Sequence, residues 1–430
     1  MSVANDSDVA HTIRFAVDHA LPVSIRSGGH SYLGASAGPG VAIDLRALND
    51  IAVGSGTAVI GAGAALIDVY TQLAARGVSV PAGSCPTVGI SGLTLGGGIG
   101  VVARQYGLTC DRLEQATVVT AAGDVVSTVG HADLLWALKG GGGSFGVVTA
   151  MTMRTHATSS LAHAYLTWPW PAAEALLRVW PKWIATQAPD ALWAACHLLA
   201  NNDKSGPPTL ALPAVYVGTA ADLDQQLDSL VGQVGVAPMT RSVAEASYVE
   251  TMLLEAGCAS LSEAACHVAA ETPGGTLSRD AFVAGSAYFA QSLDTRSIQA
   301  LIKAVEARQA DPTLGVGGAS FDALGGAIAA VPATATAYVH RDAWFDVQYT
   351  ASWQQTPGNG PLRRNLASLQ SMKAALARDT NGEAYQNYPD ATLRNPQRAY
   401  YGANLPRLID IRRTYDPAGV FTQPQGVPLS

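Results

Sequence analysis

Residues 22–30 read PVSIRSGGH, and about fifty residues later 81–100 read PAGSCPTVGISGLTLGGGIG. In the first stretch the β-branched lead-in of Val23 and Ile25 breaks at Ser27-Gly28-Gly29, the pattern of a strand entering a tight turn with unobstructed backbone amides. Such a turn cradles a phosphate by its N–H groups, with Arg26 adding charge. His30 stands at the end of the turn, aimed where the cradle points. The second stretch sets one thiol, Cys85, ahead of six glycines, so that backbone is free to approach a large flat ligand. One glycine-rich loop says little. Two of them, carrying a His and a Cys at this separation, read as two walls of a single cofactor site.

Around these loops the pattern alternates. Residues 8–20 carry apolar positions at helical spacing with Asp8 near the start, 22–26, 40–48 and 58–64 read as strands, and 65–77 as a helix stopped by Gly77. That alternation is α/β in character. Residues 116–128 form a hairpin pattern joined through Ala122-Gly123-Asp124. Residues 132–155 read as a helix, a turn of four glycines (Gly140 to Gly143) and a strand. A helix cap needs one glycine, so four suggest another close backbone approach.

Composition changes near 156–170. Up to about residue 355, helices are expected at 171–187, 221–234, 243–256 and 294–309, separated by strand-like runs at 209–218 and 336–353. The economical reading is a mostly antiparallel sheet with helices on one face, forming a second domain. A further helix at 361–378 precedes the tail. Along 338–349, taken as one strand, His340, Asp342, Trp344, Asp346 and Gln348 share one face, and Arg341, Phe345, Val347 and Tyr349 the other.

Bulk properties narrow the function. The 430 residues are 48% hydrophobic, enough for two or three domains with large cores. A net charge of −7 with no basic block argues against nucleic acid and anionic membrane surfaces as partners. No apolar run reaches the roughly 18 residues of a membrane span, and the N-terminus has no signal-peptide pattern, so the chain reads as soluble and cytoplasmic. The five cysteines are odd in number and not in metal-ligand spacing, so neither a disulfide framework nor a metal is expected. Cys110, Cys196, Cys258 and Cys266 read as small buried apolar residues. Cys85, in a Gly/Pro loop, has little to pack against.

Together these residues resemble the berberine-bridge-enzyme-like flavoprotein oxidases of the vanillyl-alcohol-oxidase superfamily, with a PCMH-type FAD-binding domain. The matching features are R-S-G-G-H at 26–30, G-x-C-x-x-V-G-x-x-G at 83–92, GGGIG at 96–100, QYGLTCD at 105–111, GGGGSFGVVT at 140–149, Y-x-N-Y-x-D at 385–390, and YYGANLPRL with YDPAGVF between 400 and 421. They stand in family order along nearly the whole chain. The middle region resembles the family in character only.

The resemblance implies an α+β protein of two domains: an FAD-binding domain at 1–155, a second domain at 156–375 whose antiparallel sheet roofs the flavin, and a strip at 376–430 returning to the first. His30 resembles the histidine joined to the flavin 8α-methyl and Cys85 the cysteine joined to flavin C6, which makes FAD bicovalently held. Arg26, Ser27, Gly28, Gly29, His30 and Ser31 resemble the pyrophosphate loop. Gly89, Gly92, Gly97, Gly140 and Val147 fall on the rest of the FAD bed, and Tyr401 and Asn404 on the returning strip. Val88 resembles the family's gatekeeper for dioxygen, where a small aliphatic residue goes with oxidase behaviour. Family members carry some forty residues ahead of the helix that begins here near Asp8, so the FAD domain is expected to be short at its start and secretion stays open.

Two covalent anchors fix a flavin and raise its reduction potential, leaving the protein to take the hydroxyl proton and hold the substrate carbon in place. Tyr385 and Tyr388 are the candidate bases, Tyr385 ranked first; an ordinary Tyr titrates near 10, so a phenolate needs a stabilising partner. The family lines its pocket from a strand with the His-Arg...Gln pattern seen here, which makes Gln348 a substrate or flavin contact, with Tyr349 or Asp346 as alternatives. Trp168, Trp170 and Trp193 offer either stacking faces for a sugar or core packing, the latter favoured. The expected reaction is oxidation of a hydroxyl on a sugar, oligosaccharide or secondary-metabolite alcohol, with O2 reduced to H2O2. The rivals are an amine or N-heterocycle oxidase on the same scaffold and a non-catalytic flavin-binding remnant. A Rossmann NAD enzyme is weakest, because no G-x-G-x-x-G links a strand to a helix.

Overall fold

The computed structural model describes residues 1–353 and 360–430. Its first helix, Asp6–Asp18, begins two residues earlier than the sequence pattern suggested, because Asn5 rather than Asp8 is the cap: its side chain accepts from the Asp8 N–H at 2.9 Å. Strands Val23–Arg26 and Val41–Asp44 pair in parallel. A five-stranded sheet follows, ordered Ile51–Val53, Thr57–Gly61, Val147–Arg154, Leu113–Val119, Val125–Ser127, all neighbours antiparallel.

The second sheet has seven antiparallel strands, ordered Thr240–Ala246, Leu161–Trp168, Thr209–Tyr216, Leu192–Ala200, Gly317–Ala323, Phe345–Trp353, Ala281–Phe289. One face is covered by helices Ala173–Thr186, Ala220–Val234, Thr295–Ala310 and Gly360–Leu376. Phe321, Phe345, Val347 and Tyr349 point into this layer and are fully buried there, with Trp180 edge-on to Phe321 and Phe345. The opposite face is not filled by a helix layer. It floors a cavity.

Three expectations need correcting. The helix expected at 243–256 is split: Ser247 and Glu250 form a reciprocal capping box that starts the helix at Tyr248 and ends the preceding run as an edge strand. The strand expected from 336 begins only at Phe345, because His340 and Arg341 are held by side-chain partners rather than a ladder. His340 bonds Glu383 at 2.7 Å and the Tyr400 carbonyl at 3.0 Å, while Arg341 forks onto Asp111 at 2.7 and 2.9 Å. Finally, Cys258 and Cys266 are joined in a disulfide rather than packed as free thiols. The chain turns back on itself after helix Tyr248–Glu255 and brings two residues that are eight apart side by side. Among the described residues no helix is long and apolar enough to cross a membrane.

Candidate active site

The two glycine loops touch. A Cβ on Gly28 would lie inside contact distance of the Gly89 nitrogen, and one on Gly89 would strike Ser27 and Gly28. Only paired glycines let these backbones approach so closely. The crossing is held by Ser27, whose hydroxyl donates to the Ala62 carbonyl at 2.7 Å, and by His30 Nε2, 2.8 Å from the Thr87 hydroxyl. Thr87 sits between Cys85 and Val88, so His30 and Cys85 are tied into one wall.

This wall lines a cavity of about 520 Å³ that runs from the glycine loops to the floor of the seven-stranded sheet. Ser27, Gly28, Gly29, His30, Ser31, Cys85, Val88, Gly89, Gly92 and Tyr401 line it, together with Tyr385, Tyr388 and Gln348. Among the described residues, nothing accepts from the backbone N–H groups of Gly28, Gly29, His30 and Ser31. Four free amides in one turn are what an anionic group such as a pyrophosphate requires. Gln386 adds a buried amide oxygen with no partner on the same cavity. The residues present therefore fit a large ligand that is anionic at one end and polar along its edge.

The other expected cofactor residues lie outside the lining, each for a local reason. Arg26 turns from the cradle to pair with Glu271, which also takes Arg279 at 3.1 Å. Gly97 borders the Tyr338 ring and Gly140 the Tyr338 backbone and Cβ, and their neighbours Gly96, Gly100, Gly142 and Gly143 face the cavity instead. Val147 is one residue out of phase: Val148 lines the cavity, and Val147 packs in the core opposite Val119. Asn404 spends its amide on the carbonyls of Ala333, Thr336 and Ala337 and is a tether for that loop. Tyr349 is excluded by the pleat, since it points into the helix layer while Gln348 points to the cavity.

Titration behaviour follows from enclosure. Burial, helped by Arg279, lowers His30 to about 4 against the opposing pull of Glu271 and the Thr87 bond, so the imidazole is neutral at neutral pH. With Nε2 committed to Thr87, Nδ1 is the free nitrogen. The Cys85 thiol opens onto the cavity, yet the protein around it raises its pKa.

Tyr385 carries the most unusual contacts. Its oxygen accepts from the Gly98 amide at 2.7 Å, the Ile99 amide at 3.3 Å and Asn387 Nδ2 at 2.9 Å. Burial raises its pKa, and these donors pull the other way. Tyr388 packs edge-on to Tyr385 at 4.9 Å and stacks on Tyr32 at 5.8 Å. Gln348 Nε2 donates to the Tyr32 hydroxyl at 2.8 Å. Tyr32, Thr87 and Asn387 were not singled out from the sequence; Asn387 lies inside the quoted Y-x-N-Y run, whereas Tyr32 and Thr87 carried no signal of their own. Of the three tryptophans, Trp168 and Trp170 are core residues and Trp193 lines the cavity floor.

Comparison with known proteins gives the site a context. The family model "FAD binding domain" matches residues 1–128, and the model "Berberine and berberine like" matches 384–428. The chain is 32% identical to the uncharacterized FAD-linked oxidoreductase YgaK of Bacillus subtilis, over 99% of this chain and 89% of that protein. It is 29% identical to a chitooligosaccharide oxidase of Gibberella zeae, over 98% and 85% of the two chains. Among solved structures, Physcomitrella patens BBE-like 1 superposes with a TM-score of 0.88 at 27% identity, over 100% of this chain and 91% of that one. With an α+β fold of two sheets and a glycine-walled cavity suited to FAD, the chain belongs to the berberine-bridge-enzyme-like family of FAD-linked oxidoreductases.

Proposed function

We propose that the chain is an oxidase holding FAD through His30 and Cys85 and acting on a hydroxyl-bearing carbon of a sugar, oligosaccharide or secondary-metabolite alcohol, with O2 as the electron acceptor and H2O2 as product. The chitooligosaccharide oxidase among its relatives supports the substrate class. FAD, when bound, supplies the hydride acceptor and the route of electrons to dioxygen. His30 and Cys85 stand on one wall to anchor it, with the free amides of Gly28 to Ser31 available to its phosphates and Val88 beside the second anchor.

The observation that carries the reading is the trio of N–H donors on the Tyr385 oxygen. Three donors aimed at one phenolic oxygen suit a phenolate better than a phenol, which has its own proton to place. Tyr385 thus takes the substrate hydroxyl proton, and Gly98, Ile99 and Asn387 hold the charge state that permits it. Because burial outweighs these donors in the free protein, the reactive form grows toward alkaline pH. Gln348 fixes Tyr32, Tyr32 fixes Tyr388, and this row of rings orients the substrate over the base. Replacing Tyr385 by Phe tests the assignment: peroxide release from a panel of sugars and alcohols is expected to fall by roughly 10²–10⁴. Turnover close to wild type would remove Tyr385 from this role.

A further inference from the structure

The sheet floor of the cavity holds two carboxyls that nothing neutralises. Glu255 ends helix Tyr248–Glu255, and Asp322 stands in the strand Gly317–Ala323. Both line the cavity, and among the described residues neither carboxyl takes a hydrogen bond or an ion pair. No Lys or Arg is found among the residues lining the cavity. Asp346 stands register-opposite Asp322 on the adjacent strand and shares its sheet face with Gln348; it is wholly buried, and both its oxygens lack partners. On the same floor Trp193 is 6% exposed with its indole N–H unpartnered, and His197 faces the cavity four residues further along that strand.

Burying carboxyls without a counter-charge is unfavourable, and here the cost shows as titration. Burial, with Asp322 adding repulsion, raises Glu255 to about 7, and burial raises Asp322 to about 7. The helix C-terminus adds to the cost of charge at Glu255. Burial leaves His197 neutral, near 4, so it supplies no cation. No group of three or more metal-ligating side chains is found among the described residues. A wall of this kind repels anionic substrates and is completed by an organic cation.

We propose that Glu255 and Asp322 form a subsite for a protonated amine of the substrate, borne on a part of the molecule separate from the hydroxyl that is oxidised, with Trp193 Nε1–H donating to an oxygen of the same substrate. The proposal rests on the reading of this cavity as the substrate chamber. A bound ammonium replaces the missing counter-charge and leaves both carboxyls ionised. The indole N–H gains the acceptor it lacks. The substrate class narrows accordingly to amino-alcohols, whether amino sugars or basic secondary metabolites.

The test compares matched cationic and neutral probes on flavin-loaded Tyr385→Phe protein, in which slowed chemistry leaves binding to be read calorimetrically. One pair is the glucosamine trimer and its N-acetylated counterpart; the other is benzylamine and benzyl alcohol. Benzylamine is read at a pH of about 8, where it is protonated and both carboxyls are ionised, and the glucosamine trimer, whose amines lose their protons near neutrality, at a pH of about 7; the cationic member of at least one pair is expected to bind about tenfold tighter or more. In the added double variant Glu255→Gln/Asp322→Asn that preference is lost, while binding of the neutral member persists and reports an intact fold. Equal affinity within both pairs, or a preference surviving the double variant, overturns the subsite. Failure of the oxidase reading is seen elsewhere, as no peroxide from wild-type protein with any member of either pair.

Discussion

The two ends of the cavity are built differently. The glycine-loop end is made of backbone: Gly28 against Gly89, four free amides, and the side chains of His30 and Cys85, the proposed anchors, within a few residues of the crossing. The sheet end is made of side chains from five separated places: Trp193 and His197, Glu255, Asp322, Gln348, and Tyr388. A backbone site is written as short runs of small residues, because only those permit close approach. A side-chain site on a sheet floor is created by register, and no short run records it.

The sharpest way to break this contrast is at the anchors. If the glycine end binds FAD as proposed, His30→Ala and Cys85→Ala each still retain flavin after acid precipitation through the remaining link. The double variant retains none. Covalent flavin in the double variant would move the anchors elsewhere and make the glycine loops mere packing. Next in size is the effect at the junction of the two ends. Tyr385→Phe is expected to lower kcat by roughly 10²–10⁴, and Tyr388→Phe, which receives no comparable set of donors, by less than about tenfold. In the wild type kcat/KM rises toward alkaline pH as Tyr385 ionises, since burial holds its pKa above the ordinary value. A pH profile that is flat, or that survives Tyr385→Phe, contradicts this.

The contrast also explains what could be read from the sequence. Strand and turn at 22–30 and the loop at 81–92 were legible because their residues are neighbours in sequence and in space. So was the antiparallel sheet with helices on one face, from the alternation of periods. Expected cofactor residues fall outside the cavity lining where a one-residue phase decides the outcome, as with Val147 against Val148, or where a motif residue serves a neighbour, as with Asn404. The alternation along 345–349 was read correctly, with Gln348 and Tyr349 on opposite faces, and Tyr349, offered as an alternative to Gln348, lies in the helix layer. The acidic floor was not legible at all. Glu255 reads as an ordinary helix residue and Asp322 as an interruption in a strand, and only the fold brings them to one cavity.

Asn404 offers a smaller test of the same point. Its amide holds three carbonyls of the 333–337 loop, so Asn404→Ala should lower stability by about 1–3 kcal/mol while leaving covalent flavin content unchanged. Denaturant unfolding and the flavin-to-protein absorbance ratio measure both. Loss of flavin without loss of stability would return Asn404 to the cofactor bed.

The smallest expected effect is at the sheet end, and its sign is set by the cavity carboxyls. Glu255 and Asp322 are raised to about 7 in the folded protein from ordinary values near 4. A raised carboxyl favours the folded state in its protonated form, so this contribution is fully present below about pH 4 and is lost as pH climbs through about 7. Ligand-free protein should therefore lose thermal stability between pH 5 and pH 8, roughly the span between the two sets of values. In Glu255→Gln/Asp322→Asn that slope flattens, and Tm at about pH 8 rises by about 2 °C. Saturating benzylamine should raise stability more in the wild type than in the double variant, because only the wild type has charge for the amine to neutralise. If the slope persists in the double variant, the stability loss belongs to other groups, and the carboxyls are already satisfied by something other than a substrate amine.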